Sequence, residues 1–510
     1  MKRLLYIWVL IVAATFLSCE DRLDTNPSDK VSGTLIFGSA DAAKVAVNGI
    51  YRAMYMYGWS DNWAHENPGI LSLTLVKDLH GEDHVMASQG QGWFFYDYMF
   101  AVDSDYSTTS GRQYSQWSLF YTLISQANYI IHATEELISY GSEGIDILAQ
   151  AYAIRGFSYT CLYEWYCKGN YPQNYTSPGV PVYTDATSAE TVGQPRGTVE
   201  ELFVRINEDF ETAVDLFKEA DLDANENSNV CIDIYSAYGL WARVAQIQEN
   251  WDKASEYAVA ALAKPGIKRV STISELGEFN NCKTPSVLWG FVVITDQTSP
   301  FGPYLSHMDP EGGYGTVAPQ CIDAWLWNAI PDTDLRKTTW WEDPANATYY
   351  RYGQLKFRYS DISTYLGDVI YLRAEELLLI AAEAACRKND YTTARSLLTE
   401  LGAERNDEYA QELLRRTDSS TYATDTHQTP LTLMDEILFQ RRVELWSEGL
   451  GRAFDLRRLN LGFDRNYDGT NHPTSALVSL VPGDNRYVTL IPQKELDSNE
   501  AMDITDQNPR

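Results

Sequence analysis

Aromatic and hydrogen-bonding side chains are concentrated in two segments that lack long helical periods, residues 59–111 and 282–365. An aromatic ring beside carboxylates and amides offers an apolar face for stacking and polar partners for hydroxyl groups. A pyranose sugar needs both, because it presents C–H groups on its faces and hydroxyls around its edge. Loops of this length are usually functional or disordered, and the many Trp and Tyr residues argue against disorder. The two segments therefore contain the side-chain types that a polyhydroxylated ligand requires.

One carboxylate and a set of aromatic rings from these segments are the candidate ligand-binding residues. The first five are Asp78, Trp93, Tyr96, Trp325 and Trp327. Three more aromatics belong to the same prediction, Trp63, Tyr304 and Tyr314. The rings would stack on sugar faces, and Asp78 would accept hydrogen bonds from hydroxyls. Burial in the core is the alternative for each ring. It is the favoured interpretation for the tryptophans of predicted helices, Trp117, Trp165, Trp241, Trp251 and Trp446.

The histidines are scattered apart from one cluster, His80-Gly81-Glu82-Asp83-His84. Its imidazoles and carboxylates could hold a metal ion, but Gly81 and the loop context deprive it of the fixed helical face that a His-Glu-x-x-His site uses. The sequence also lacks a GxSxG elbow, a P-loop and a dinucleotide-binding glycine pattern. We therefore predict no metal site, no cofactor and no catalytic residue.

Charged side chains are also dense near the C-terminus, at Arg441, Glu444, Glu448, Arg452 and Asp455. Their proximity is compatible with acid–base chemistry. However, spacings of three and four residues place the first three on one face of a predicted helix, where ion pairs support the helix. A structural role is therefore the favoured interpretation.

The N-terminal residues have the pattern of an export signal. Lys2 and Arg3 precede an apolar run from Leu4 to Leu17. This run of about 14 residues is shorter than the roughly 20 that a membrane-spanning helix needs, so residues 1–18 are predicted to be a cleaved signal peptide. The end of the signal, Phe-Leu-Ser-Cys, resembles a bacterial lipoprotein box, which predicts a lipid anchor on Cys19. An ordinary secreted protein with a chance cysteine is the alternative.

The bulk composition limits the partners and covalent links of the chain. Its 70 acidic and 40 basic side chains give a net charge of -30, which opposes binding to nucleic acid or to an anionic membrane surface. Six cysteines follow Cys19, and nothing in the sequence shows that they pair. Cys161 and Cys167 lie too far apart along one predicted helix to form a disulfide.

The helical periods predict four helix pairs with small residues at close-packing positions. The pairs are 39–57 with 116–140, 147–166 with 198–217, 233–249 with 251–263, and 369–387 with 391–401. Residues 287–295 (VLWGFVVIT) are the clearest buried strand.

The last two helix pairs are related to each other at a constant offset. Ala242 corresponds to Ala382, and Trp251 corresponds to Tyr391. In each pair a polar turn is followed by an aromatic residue, and an alanine comes three residues later. This arrangement is typical of tetratricopeptide-like hairpins, in which small residues let two helices approach closely.

Six segments in chain order resemble the motifs of the SusD/RagB family. They are LDTNPSDKVS (23–32), WSLFYTLISQANYII (117–131), PRGTVEELFVRINEDFETAV (195–214), YLRAEELLLIAAEA (371–384), ILFQRRVELWSEGLGRAFDLRR (437–458) and LIPQKELDSNEAMDITDQNP (490–509). Each helical motif is degenerate, but six in order make the resemblance specific. The sequence Gly-Leu-Gly-Arg-Ala-Phe from residue 449 departs from the family, which often has an aromatic pair after the glycine turn.

The resemblance implies a mostly α-helical fold of four tetratricopeptide-like hairpins, with loop-rich, short-strand insertions that carry the ligand site. It also implies a non-catalytic lipoprotein on the exterior of the outer membrane, anchored only by its N-terminal lipid. Such a protein captures oligosaccharide or polysaccharide and delivers it to a SusC-like TonB-dependent transporter. The alternative is a transporter lid or assembly protein that binds a peptide or protein ligand.

We expect residues 19–510 to form a single SusD-like domain with five parts. These are 19–58 (N-terminal segment and first helix), 59–111 (aromatic insertion), 112–281 (helical hairpins), 282–365 (ligand-site insertion) and 366–510 (last hairpin and C-terminal signature).

Overall fold

The computed structural model describes most of the chain beyond its N-terminal segment. The described residues are 37–56, 65, 69–101, 107–188, 190–222, 229–343, 349–448 and 451–510. The signal peptide, Cys19 and Trp63 therefore lie outside the described residues.

Helices dominate the part of the chain that the structure describes. From the N-terminus they are α1 (Ala40–Tyr55), α2 (Ile70–Leu79), α3 (Phe95–Tyr98), α4 (Gly111–His132), α5 (Thr134–Ser139), α6 (Ser142–Tyr166), α7 (Tyr171–Asn174), α8 (Val199–Ala220), α9 (Ile234–Ile247) and α10 (Trp251–Ala261). They continue with α11 (Ile273–Gly277), α12 (Tyr304–Met308), α13 (Ala324–Ala329), α14 (Ala374–Arg387), α15 (Tyr391–Ala403), α16 (Tyr409–Leu413), α17 (Leu433–Glu444), α18 (Gly451–Arg458) and α19 (Gln493–Ser498).

Short strands join distant parts of the chain. In order they are β1 (His84–Met86), β2 (Val287–Phe291), β3 (Gln320–Ile322), β4 (Val369–Arg373), β5 (Phe463–Asp464) and β6 (Ser479–Leu480). They form three antiparallel pairs in the described residues, β1 with β3, β2 with β4 and β5 with β6. The strand predicted at 287–295 is confirmed over its first part. The helix predicted from residue 369 is wrong at its start, because the β-branched and aromatic residues before Ala374 pair with β2 instead.

The longer helices pack in sequence, each against the next. The contacts run from α4 to α6, then to α8, α9, α10 and α14, and α14 also packs on α15 and α17. All four predicted helix pairs are present, because α1 contacts α4 and the other three pairs lie along this series. The mostly helical fold is therefore confirmed.

The two related hairpins share their turn geometry as well as their sequence pattern. Glu249 and Asn389 have φ values of 55° and 61°, so both turns pass through the left-handed region. The next residue caps the second helix in each case, because the side chains of Asn250 and Asp390 accept hydrogen bonds from backbone N–H groups. Because both hairpins use the same turn and the same type of cap, their sequences match at a constant offset.

The buried apolar side chains form one connected core that extends through the helices and beneath both loop segments. The six cysteines after Cys19 are free thiols, so no disulfide supports this core in the described residues. Among the described helices, none has the length and apolar character to cross a bilayer.

Candidate functional site

The short β1–β3 ladder brings the two aromatic segments together. His84 pairs with Ile322 and Met86 pairs with Gln320 across the two strands. The side chains of His84 and Gln320 add a hydrogen bond of 2.9 Å. Residues that follow β1 and residues that precede β3 therefore lie side by side, although they are more than 200 positions apart in the sequence.

Four side chains from these segments form a contiguous aromatic platform, which we define as His65, Trp93, Phe301 and Tyr314. Trp93 stacks on His65 with ring centroids 5.5 Å apart and an interplanar angle of 14°. The ring of Tyr314 meets Trp93 nearly edge-on at 5.8 Å and contacts Phe301 at 5.0 Å. His65 and Phe301 are exposed and Trp93 is half-buried, so these three rings present surface to solvent, whereas Tyr314 is buried at 9% exposure.

A rigid turn holds Trp93 in place. Gly92 has a φ of 94° and Phe94 a φ of 63°, so the backbone on both sides of Trp93 is left-handed. Beneath the turn, the guanidinium of Arg112 donates two hydrogen bonds of 2.9 Å to Asp97 on α3 and lies 4.9 Å from the ring of Phe94. Because both charged groups are fully buried, this pair fixes α3 and with it the platform.

The opposite side of the platform rests on α12 and on the turn that follows it. The ring of His307 stacks on Tyr314 at 5.0 Å, and its Nε2 lies 2.6 Å from the backbone oxygen of His65. Burial lowers the pKa of His307 to about 3, so its imidazole is neutral at ordinary pH. The platform is therefore supported by an uncharged, hydrogen-bonded ring.

Tyr96 extends the exposed aromatic surface near the platform. Its ring is 45% exposed, and its hydroxyl accepts a 3.2 Å hydrogen bond from Gln89. An amide and a phenol side by side can both donate to and accept from ligand hydroxyls. Of the predicted site residues, Trp93 and Tyr96 thus keep ring surface open to solvent. The prediction for Tyr314 is corrected, because its ring is buried and packs against Trp93.

A second, partly exposed group, which we call the Trp341 corner, consists of Glu311, Trp341, Tyr349 and Arg358. The rings of Trp341 and Tyr349 lie 5.0 Å apart, and the hydroxyl of Tyr349 donates to the carboxylate of Glu311. Arg358 pairs with the same carboxylate at 2.6 Å. The Tyr349 hydrogen bond and the charge of Arg358 lower the pKa of Glu311. The corner therefore combines a ring face with an ionised hydrogen-bond acceptor. This acceptor, Glu311, stands three residues before Tyr314 in the chain.

The structure corrects the prediction for Asp78, Tyr304 and Trp327, which are only 4%, 4% and 6% exposed. Asp78 accepts a 3.1 Å hydrogen bond from the backbone of Arg452, and burial raises its pKa well above the usual range. The hydroxyl of Tyr304 donates to the backbone oxygen of Ser447 at 2.9 Å. These three side chains hold the loops to the interior and offer a ligand no surface.

Two neighbouring side chains cover the ring of Trp327 and so explain its burial. Lys337 Nζ lies 4.2 Å from its centroid, and the ring of Tyr352 packs against it at 5.2 Å. Trp325, by contrast, is half-buried. It contacts His427 at 5.2 Å and the guanidinium of Arg442 at 5.3 Å, and so belongs to a different group of side chains from the platform. Its role in ligand binding stays a prediction.

The charged C-terminal motif has a structural role, but its partners differ from those expected. Glu444 accepts hydrogen bonds from Arg336, Arg373 and Arg405, which belong to other parts of the chain, rather than pairing along its own helix. Arg441 pairs with Asp455 at 3.0 Å. The helix-face prediction was wrong because α17 is buried on all sides and turns these groups toward neighbouring segments.

The carboxylates of the His80–His84 cluster are also buried and pair with arginines. Glu82 lies 3.1 Å from Arg452 and 3.3 Å from Arg442, and Asp83 makes a bidentate contact with Arg442. Burial opposes ionisation of Glu82, but the two arginines outweigh it and hold its pKa at about 2. The carboxylates therefore neutralise buried guanidinium groups.

Several residues of the candidate site were missed by the sequence analysis, namely His65, Phe301, Glu311, Tyr349 and Arg358. Phe301 had a visible signal, because it stands in Ser-Pro-Phe-Gly-Pro, where proline and glycine prevent a regular element that could bury the ring. Glu311 and Arg358 had none, since their pairing depends on contacts between segments.

Comparison with known families gives two matches. Residues 335–510 match the model described as "SusD family", and residues 59–252 match the model described as "Starch-binding associating with outer membrane". A SusD-like protein of Formosa agariphila is 23% identical over 207 residues, which cover 40% of this chain. The matched part spans only 35% of that relative's length.

Solved structures share the fold over most of the chain. A SusD-like carbohydrate binding protein from Bacteroides vulgatus superposes with a TM-score of 0.73 at 23% identity, covering 92% of this chain and 98% of that one. Surface glycan-binding protein A from Bacteroides uniformis gives a TM-score of 0.64 at 18% identity, covering 92% and 99%. At these identities the likeness establishes the common architecture.

Proposed function

Because this chain belongs to the SusD/RagB family, we propose that it is a non-catalytic surface lipoprotein of the outer membrane that captures oligosaccharide or polysaccharide. The aromatic platform carries the proposal. It offers adjoining rings at 5.0 to 5.8 Å, part of whose surface faces solvent. The captured glycan would pass to a SusC-like TonB-dependent transporter.

The chemistry of the platform suits a sugar better than a charged or purely apolar ligand. Ring faces pack against the C–H groups of a pyranose, and the amide and phenol of Gln89 and Tyr96 supply hydrogen bonds to hydroxyls. The ionised Glu311 of the Trp341 corner would add a strong acceptor. We propose that the platform and the corner contact successive sugar units of one chain.

Affinity gels that contain purified neutral polysaccharides test this proposal. At least one polysaccharide class should retard the wild-type protein, and Trp93→Ala should weaken that retardation about tenfold, which corresponds to roughly 1.4 kcal/mol. Tyr175→Ala is the matched control, because Tyr175 is 42% exposed but belongs to neither group of site residues. Normal retardation of a folded Trp93→Ala protein would remove the platform from the site.

Delivery to a transporter needs a separate experiment. The protein, purified from solubilised outer membranes under mild conditions, should bring a TonB-dependent transporter with it in a fixed ratio. Recovery of the protein alone from membranes that contain the transporter would contradict this part of the proposal and leave glycan capture untouched.

A further inference from the structure

An open groove of about 560 Å³ lies between α4, residues 183–193 and α19. None of the platform or Trp341-corner residues lines it. Pockets that hold small ligands commonly measure about 300–1,000 Å³, so the groove is large enough for more than bound water. We call it the α4 groove.

Aromatic rings form one side of the α4 groove. Trp117 and Tyr121 lie 4.8 Å apart at an angle of 47°, and Tyr183 meets Tyr121 edge-on at 5.9 Å. Tyr121 and Tyr183 are half-buried, so part of each ring remains accessible from the groove. The rings thus provide an apolar surface of the kind on which a sugar face packs.

Three polar side chains of α4 line the same groove and have no hydrogen-bond partner among the described residues. Ser118 and Thr122 are half-buried and Gln126 is exposed, and no hydrogen bond to the described residues uses their side chains. Hydroxyl and amide groups can both donate and accept hydrogen bonds. This surface is therefore suited to a ligand that carries many hydroxyls.

The two charged side chains that line the groove, Lys494 and Glu495, already contact other side chains of its lining. Lys494 Nζ lies 4.0 Å from the centroid of Tyr114. The carboxylate of Glu495 accepts a 3.1 Å hydrogen bond from Trp117 Nε1 and another of 2.8 Å from Asn499. Because these opposite charges are held in place by neutral partners, the lining favours a neutral ligand.

The far wall of the groove is fixed before any ligand binds. Asn128 donates to the backbone oxygens of Tyr183 and Asp185 at 3.0 and 3.1 Å. The hydroxyls of Ser125 and Thr187 lie 2.7 Å apart, and Arg155 donates to the oxygen of Thr184 at 3.1 Å. A wall that needs no ordering on binding loses less conformational entropy.

We propose that the α4 groove is a second binding site for neutral oligosaccharides, separate from the aromatic platform. The proposal takes its ligand class from the proposed function but depends on different residues. A second site would let one protein hold two points of a long glycan or two chains, which raises the effective affinity for polymers.

Variants that fill the groove test the proposal. Thr122→Trp and Ser118→Trp place bulk in the groove at half-buried positions of α4, and His132→Trp is the control at an exposed position of the same helix. The probes are three hexasaccharides, an α-1,4-glucan, a β-1,3-glucan and a β-1,4-mannan, titrated at millimolar concentrations by calorimetry. Each groove variant is combined with Trp93→Ala, so that the platform contributes little.

Residual binding of at least one hexasaccharide to Trp93→Ala should fall at least tenfold when either groove substitution is added and should persist with His132→Trp. Complete loss of binding in Trp93→Ala alone would overturn the second site and leave the proposed function standing. Binding that Thr122→Trp removes but Trp93→Ala leaves intact would support the groove and contradict the platform. Residual binding that neither groove substitution weakens, or failure of all three probes to bind the wild-type protein, would overturn the groove.

Discussion

At the scale of single residues, the carboxylate of Glu444 shows how buried arginines keep a buried acid ionised. It is fully buried, and Arg336, Arg373 and Arg405 approach it within 2.7 to 3.0 Å. Burial alone would raise its pKa, but the guanidinium groups of Arg405, Arg373 and Arg336 outweigh burial and hold the pKa well below its usual range. Planar guanidinium forks suit such a hub, because each can offer parallel hydrogen bonds to carboxylate oxygens.

Glu444→Gln should therefore destabilise the protein severely. The substitution keeps the shape but removes a negative charge that three buried guanidinium groups share, so each of them keeps only its other carboxylate partners. Breaking a buried ion pair costs about 3–5 kcal/mol. Urea unfolding followed by circular dichroism measures the loss. Glu256→Gln is the control, because its partner Lys253 is 47% exposed and such surface pairs contribute less than about 1 kcal/mol. Equal effects of the two substitutions would contradict the role of the hub.

Buried histidines predict how stability depends on pH. Burial lowers the pKa of His84 to about 3, whereas an unfolded histidine titrates near 6.5. Between these values the unfolded chain binds more protons than the folded chain, so stability is complete above the unfolded pKa and is lost as the pH falls toward 3. Each such histidine should remove about 1 kcal/mol of unfolding free energy between pH 7 and 5.5.

The variant His84→Gln isolates this effect. Its unfolding free energy should fall by about 1 kcal/mol less than that of the wild type over the same pH interval, whatever its absolute stability. His132→Gln, at an exposed position on α4, should follow the wild-type profile. A His84→Gln profile parallel to the wild type would mean that His84 takes up its proton at the same pH in the folded and unfolded chains.

At the scale of elements, close helix contacts explain several small residues. Gly144 in the first turn of α6 lies so near α5 that an added Cβ would stand 1.9 Å from the backbone oxygen of Leu137. Gly49 in the middle of α1 faces open space, with no atom within 4 Å of its would-be Cβ. The same residue type thus serves packing in one helix and has no packing role in the other.

Alanine substitutions should separate these two glycines. Alanine is favoured over glycine in a helix by about 1 kcal/mol, so Gly49→Ala should raise the free energy of unfolding by up to that amount. Gly144→Ala should lower it by about 1–3 kcal/mol, because rigid backbone must shift to make room. Thermal unfolding of both variants gives the comparison. Stabilisation by Gly144→Ala would show that α5 and α6 separate easily.

The sequence predicted elements better than it predicted the site, and the difference has a physical cause. Helix pairing follows from local periods and from small residues, which a single stretch of chain displays. Whether a loop side chain faces solvent depends on distant partners. Asp78 is buried by Arg452, 374 positions away, and Tyr304 by Ser447. Trp93 lies in a turn within a segment that was predicted to be irregular loop, whereas its neighbour His65 had no local signal.

At the scale of the whole molecule, burial of ion pairs shapes the surface charge. Arginines such as Arg112, Arg155, Arg243 and Arg458 are buried in pairs with acidic partners, so these positive charges are withdrawn from the surface. With 70 acidic against 40 basic residues in total, the excess that remains outside is acidic. A neutral glycan is compatible with that surface, whereas a polyanion is repelled.

Glycan binding should accordingly be insensitive to salt. If stacking and hydrogen bonds dominate, the affinity for a neutral polysaccharide should change less than about twofold between low and high ionic strength, where exposed charges are screened beyond about 3 to 10 Å. Affinity gels run at both salt concentrations measure this directly. Sulfated polysaccharides should not retard the protein at low salt. Strong, salt-sensitive retardation by a sulfated polymer would show that a local basic patch governs binding.

The proposed lipid anchor at Cys19 can be tested on the whole molecule. A cysteine at position 19 after an apolar export signal would carry acyl chains, and each buried methylene contributes about 0.8 kcal/mol to anchoring. Cys19→Ser should therefore move the protein from the membrane pellet to the released fraction, as judged by fractionation and immunoblotting. Cys231→Ser is the control, because that residue is a free thiol within the fold and should leave the protein in the membrane fraction. If the Cys19→Ser protein stays with washed membranes, its attachment must come from contacts of the folded chain with a membrane partner rather than from lipid.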